Sequence, residues 1–116
     1  MTINNNEYIN ISVIKSLYRS NAKLNPEYLA NMAASDIQLH LVNLREQNSP
    51  KASVALHNIY ATSVTLGLSK LSKIAGKLES AYKPSTSISN NDIEILERSA
   101  KESIEQLRAI DVGKLK

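Results

Sequence analysis

Apolar residues recur along most of this chain at spacings of three and four, the period of a helix that buries one face. From Asn25 onward, Leu29, Ala33, Ile37, Leu41 and Leu44 form one stripe. Asn25-Pro26 opens that segment with a side chain that can accept a first-turn N–H and a proline that needs none. Asn48-Ser49-Pro50 repeats the device, ending one helix and capping the next. The third segment, from Pro50 to about Thr65, puts Ala52, Leu56, Ile59 and Ser63 on one face, with Leu66 closing it, and Gly67 then reads as a C-terminal cap. A fourth segment points Leu71, Ile74, Ala75 and Leu78 inward and Lys70, Lys73 and Lys77 outward. The run from Lys83 to Asn90 reads as a polar turn-rich loop. A last helix, capped by Asn90 or Asn91, uses Ile93, Leu96, Ala100, Ile104 and Leu107, with Glu94–Arg98 and Glu97–Lys101 as surface pairs. A shorter N-terminal segment carries Ile11, Ile14, Leu17 and Tyr18 with the same period.

No segment alternates as a strand would, and no internal repeat is found. The pattern predicts an all-α fold: an antiparallel up-down four-helix bundle with a short additional N-terminal helix at one end. The 116 residues are expected to form one domain, with the core bundle at about 25–109.

Composition narrows the function more than the fold. Charge is mild, with 14 Lys+Arg against 11 Asp+Glu, and the basic residues are dispersed rather than gathered into a nucleic-acid-binding patch. The chain has no cysteine, so it has neither a disulfide framework nor a thiolate metal site, which fits a reducing cytoplasmic setting. Neither a transmembrane run nor a signal-peptide pattern is read in it, so no membrane contact by this domain is expected. Its only aromatic side chains are five tyrosines, so Leu, Ile, Val and Ala must fill the core. Two histidines with scattered carboxylates do not suggest a metal site, and neither a nucleophile elbow nor a phosphate-binding loop occurs.

His57 is the leading candidate for chemistry. It lies off the apolar stripe of the third segment, as does Tyr60, with Val54, Ala61 and Val64 nearby. An imidazole titrates at about pH 6.5, so it can serve as a neutral nucleophile at cellular pH. Taken by periodicity alone, His57 is an ordinary surface histidine. His40 beside Leu41 reads as a boundary histidine bonded to a neighbour, or else as part of a docking face near His57. The row Lys70, Lys73 and Lys77 reads as a solvated face, or as a rim that steers an acidic partner.

Residues 50 to 79 resemble the histidine-containing phosphotransfer (HPt) domain. His57 matches its phosphoryl-accepting histidine and Ile59 the buried aliphatic two positions on. Thr62 and Ser63 match its small pair, Leu66-Gly67 its closing pair, and Leu71, Ala75 and Leu78-Glu79 its following helix. The order and length of the helices extend the likeness over residues 25 to 109. Two positions depart from it: Tyr60 stands where the family usually has lysine, and Ala61 where it has glycine.

The resemblance implies a phosphorelay intermediate in two-component signalling. It would accept a phosphoryl group on His57 from a receiver-domain aspartate and pass it to a response regulator. Such a chain is a carrier rather than an enzyme in its own right, with no cofactor of its own and with Mg²⁺ on the partner receiver. A receiver domain, and a hybrid sensor kinase in addition, are the implied partners. The docking face would comprise Val54, Tyr60, Ala61 and Val64, while Ile59, Ser63, Leu66 and Gly67 are structural. The protein is expected to be a cytoplasmic monomer, either free or as a module of a larger kinase. Two other readings suit the same residues: a relative that binds a receiver or kinase without carrying phosphate, and a helical binding protein unrelated to signalling.

Overall fold

Five α-helices follow one another along the chain: α1 (Ile11–Ser20), α2 (Pro26–Arg45), α3 (Ser49–Thr65), α4 (Ser69–Ala81) and α5 (Asn90–Arg108). A 3-10 turn at Val112–Leu115 follows them. The structure is a computed structural model and describes residues 7–46, 49–82 and 88–116. Among these residues there is no strand, and no helix is long and apolar enough to cross a membrane.

The starts of the helices follow capping chemistry. Asn25 accepts the Tyr28 N–H at 2.9 Å with Pro26 in the first turn, as the sequence predicts. For α5 the cap is neither Asn90 nor Asn91 but Ser89, whose hydroxyl accepts the Asp92 N–H at 3.1 Å. A serine serves this position as well as an asparagine does, and Ser89 is the residue with extended backbone. The cap expected from Asn48 and most of the loop expected at Lys83–Asn90 lie outside the described residues.

Helix α2 packs against α3 and α5, α3 against α4, and α4 against α5, so each of the four long helices has two neighbours. The stripe Leu29, Ala33, Ile37, Leu41 and Leu44 is buried, and so are Ala52, Leu56, Ile59 and Ser63 on α3 and Leu66 just after it. Leu71 and Ala75 of α4 and Ile93, Leu96, Ala100 and Leu107 of α5 complete the interior. Ile74, Leu78 and Ile104 press on it from partly exposed positions. The periodicity overlooks Ser99 and Ser103, which are buried in α5 with hydroxyls that have no hydrogen-bond partner. Glu97 is more than a surface residue of α5, because its carboxylate reaches Arg45 on α2.

The turn between α3 and α4 is fixed by Gly67. Its φ of 69° lies in the left-handed region that a β-carbon disfavours. Two hydrogen bonds then close the end of α3: the Gly67 N–H donates to the Val64 carbonyl at 3.2 Å, and the Leu68 N–H to the Ser63 carbonyl at 2.8 Å. This pairing is the Schellman motif, and it leaves the next residue but one, Ser69, free to begin α4. The Gly67 carbonyl accepts the Asn10 N–H at 2.8 Å, which ties the start of α1 to the turn.

Both outer segments gather at this end of the fold. Ile9, Ile14 and Leu115 are buried, and α1 touches the 3-10 turn. Tyr8 donates its hydroxyl proton to Glu102 on α5 at 3.1 Å. Lys70 lies 4.6 Å from the centre of the Tyr8 ring and 3.4 Å from its hydroxyl. That hydrogen bond, helped by Glu7, holds the Lys70 ammonium above its ordinary pKa of 10.5 in spite of the opposing desolvation. Lys70 therefore belongs to the N-terminal clamp, and the expected basic row on α4 is divided.

Gly67→Val should lower stability by about 2 kcal/mol, through backbone strain and contact with α1. A new β-carbon would stand 2.9 Å from Val13 Cβ and 3.0 Å from the Asn10 carbonyl oxygen. Unchanged thermal melting would contradict this account. Ser103→Ala should go the other way and stabilise by up to about 1 kcal/mol, because it removes a buried hydroxyl that has no partner. A loss of stability on denaturant titration would show that the hydroxyl is satisfied in solution.

Candidate functional site

The same arithmetic that buries one face of α3 exposes another. Residues three or four apart share a helix face, so Val54, His57, Ala61 and Val64 line up on the side opposite Ile59 and Ser63. All four are exposed, with 60% of Val54 accessible. The ring of His57 is 61% accessible. Ile59, Ser63, Leu66 and Gly67 lie underneath as packing positions, and the Ser63 hydroxyl donates back to the Ile59 carbonyl at 2.6 Å.

His57 has a partner on α4. Its Nδ1 lies 2.6 Å from Oε2 of Glu79. An ionised carboxylate can only accept, so Nδ1 carries the proton in this contact. In the neutral ring the free lone pair is then on Nε2, the nitrogen farther from the main chain. Glu79 thus selects one tautomer and fixes the orientation of the ring, while most of the imidazole remains open to solvent.

Tyr60 also turns toward α4. Its ring rests against Gly76, where an added β-carbon would meet Cε1 at 3.1 Å. Glycine inside a helix normally costs about 1 kcal/mol relative to alanine, and here it makes room for the aromatic edge. The His57–Glu79 and Tyr60–Gly76 contacts are both centred on Leu68, the residue after the Gly67 turn. In a helical hairpin, positions equidistant from the turn face one another, so the turn chooses both pairs.

On the other flank, α3 faces α2. The Thr62 hydroxyl donates to Asp36 Oδ2 at 2.5 Å, and the second Asp36 oxygen lies 3.5 Å from His40 Nε2. His40 is largely buried, its Nδ1 has no partner, and it does not join the exposed face of His57. Sequence periodicity missed Asp36 because an aspartate one position off a stripe looks like ordinary surface. It also missed the apolar residues that α2 leaves exposed: Tyr28, Met32, Leu39 and Val42.

The basic row expected on α4 does not act as one face. Lys70 is taken by Tyr8, Lys73 borders a recess beside Val64 and Gly67, and Lys77 is exposed. Among the described residues no cluster of three or more metal-ligating side chains occurs. No family model, curated protein or solved structure matches this chain.

Gly76→Ala tests how firmly Tyr60 is seated. Alanine restores helix propensity worth about 1 kcal/mol, and a partly exposed ring can yield the few tenths of an ångström required. The expected outcome is a net gain of up to about 0.5 kcal/mol, with altered NMR shifts of the Tyr60 ring. A clear loss in thermal melting would mean that the ring is locked against α4.

Proposed function

We propose that this protein is a phosphoryl carrier of the HPt type, with His57 as the acceptor. The observation that supports the reading best is the His57–Glu79 pair: an exposed imidazole, oriented by a carboxylate on Nδ1, with its lone pair on Nε2. The step would be an in-line transfer from a receiver's aspartyl phosphate. The Nε2–P bond forms as the P–O bond to the aspartate breaks, and the aspartate leaves as a carboxylate. Onward transfer to a second receiver reverses these roles. The groups that neutralise the moving charge, Mg²⁺ included, would be the receiver's.

The fold inferred with this function is an antiparallel up-down bundle of α2 to α5, with α1 across one end. Long-range contacts favour that order. Arg108, at the end of α5, donates to Glu27 and Asn31 near the start of α2 at 3.1 and 2.9 Å, and Arg45, at the end of α2, pairs with Glu97 in the first half of α5. The exposed apolar residues Val54, Ala61 and Val64 surround His57 as a docking surface would. The same reading makes the protein a cytoplasmic monomer that meets receiver domains.

A second reading, binding a receiver or kinase without carrying phosphate, draws on Tyr60. The position one turn from the histidine holds a neutral ring packed on Gly76, so it brings no cation to a transferred phosphoryl group.

The test is incubation with a receiver domain charged from acetyl phosphate. Wild type should acquire acid-labile, base-stable phosphate. His57→Gln should acquire none, while its stability stays within about 0.5 kcal/mol of wild type. Glu79→Ala should slow acceptance by less than about tenfold, because the free ring still visits the reactive tautomer. Binding of the charged receiver without any transfer would select the second reading.

A further inference from the structure

We propose that the groove between α2 and α3 receives a helix of a partner protein that carries an arginine or lysine between apolar side chains. The groove has a volume of about 610 Å³ and is walled by Met32 and Leu39 on α2, by Ala61 on α3 and by Leu66 just after it. Met32, Ser35, Asp36 and Leu39 follow one another at helical spacing, so the α2 wall is two turns long, roughly 10 Å. That length matches two turns of a docked helix. Leu39 is 58% exposed and Met32 44%, on a helix whose stripe of Leu29, Ala33, Ile37, Leu41 and Leu44 is buried.

One charge sits among these apolar walls. Asp36 is 45% exposed, so it faces the groove without being sealed in it. Its carboxylate is fixed by the Thr62 hydroxyl and lies beside His40, and it still has lone pairs to offer. Among the described residues no cationic side chain lines the groove with it. An apolar helix alone would cover that carboxylate and leave it short of partners, at a cost in desolvation. A helix with a basic residue at this level would supply the counter-charge, and a guanidinium could do so with two hydrogen bonds. The groove therefore prefers a basic amphipathic helix over a neutral one. Ala61 is shared with the His57 face, so the groove extends that face, yet the preference holds whether or not His57 carries phosphate.

The test uses two synthetic helical peptides of about fourteen residues, with leucines at i and i+4 flanking a central arginine or its neutral isostere citrulline. Titration into the full chain, followed by amide chemical shifts, should move Met32, Asp36, Leu39, Ala61 and Thr65. The arginine peptide should bind about threefold more tightly than the citrulline peptide, the size expected for a half-exposed ion pair. Asp36→Asn keeps an acceptor for Thr62 and should erase that difference. Leu39→Ser, at an exposed position, should weaken both peptides alike. In the His57→Gln chain the arginine preference should persist, which separates this proposal from the phosphoryl chemistry. Equal affinity of the two peptides for wild type, shifts centred on other residues, or no binding at millimolar peptide would each overturn it.

Discussion

At Gly67 the backbone enters a region closed to most side chains, and the register of α3 against α4 follows from that turn. Two hydrogen bonds end α3, Leu68 enters the core, and α4 begins at Ser69. Once the turn is set, His57 stands opposite Glu79 and Tyr60 opposite Gly76. A residue added to this turn would rotate α4 by about 100° relative to its place on α3 and remove the carboxylate from the imidazole. The site thus depends on a backbone conformation ten residues away from its imidazole.

The flank toward α2 is built differently. There the contact is polar, a hydroxyl and a carboxylate joining two helices at Thr62 and Asp36, with a mostly buried histidine beside them. The imidazole of His57 and the carboxylate of Asp36 consequently lie on two sides of one exposed helix face. One side presents an oriented imidazole on a rigid support, and the other presents a fixed negative charge in an apolar groove. Both gain precision because helices, rather than loops, position them.

Much of this architecture is legible in the sequence because burial imposes a period. Every stripe residue of α2 and α3 is buried as its spacing requires, and Gly67 ends α3 where the pattern breaks. Exposure of His57, Val54 and Val64 follows from the same spacing. What periodicity does not convey is which residues of two different helices meet. Glu79 reads as part of a Leu-Glu helix ending, and its contact with His57 becomes visible only when positions are counted outward from the Gly67 turn. Ser99 and Ser103 escape because serine carries no apolar signal, although its small volume suits a crowded helix face. Ser89 is hard to single out as the cap because Asn90 and Asn91, which fill such a role equally well, follow it directly.

Residues 7–10 are held at the Gly67 turn and at the start of α4, through Asn10, Tyr8 and Glu7. Residues 7–9 and Leu115 lie at the end of the fold that holds the start of α4, and His57 stands ten residues up α3, roughly 15 Å along the helix axis. Both of these described segments therefore sit at the base of the fold, clear of the exposed imidazole. A peptide fused after the 3-10 turn would thus leave α3 and α4 in register against each other.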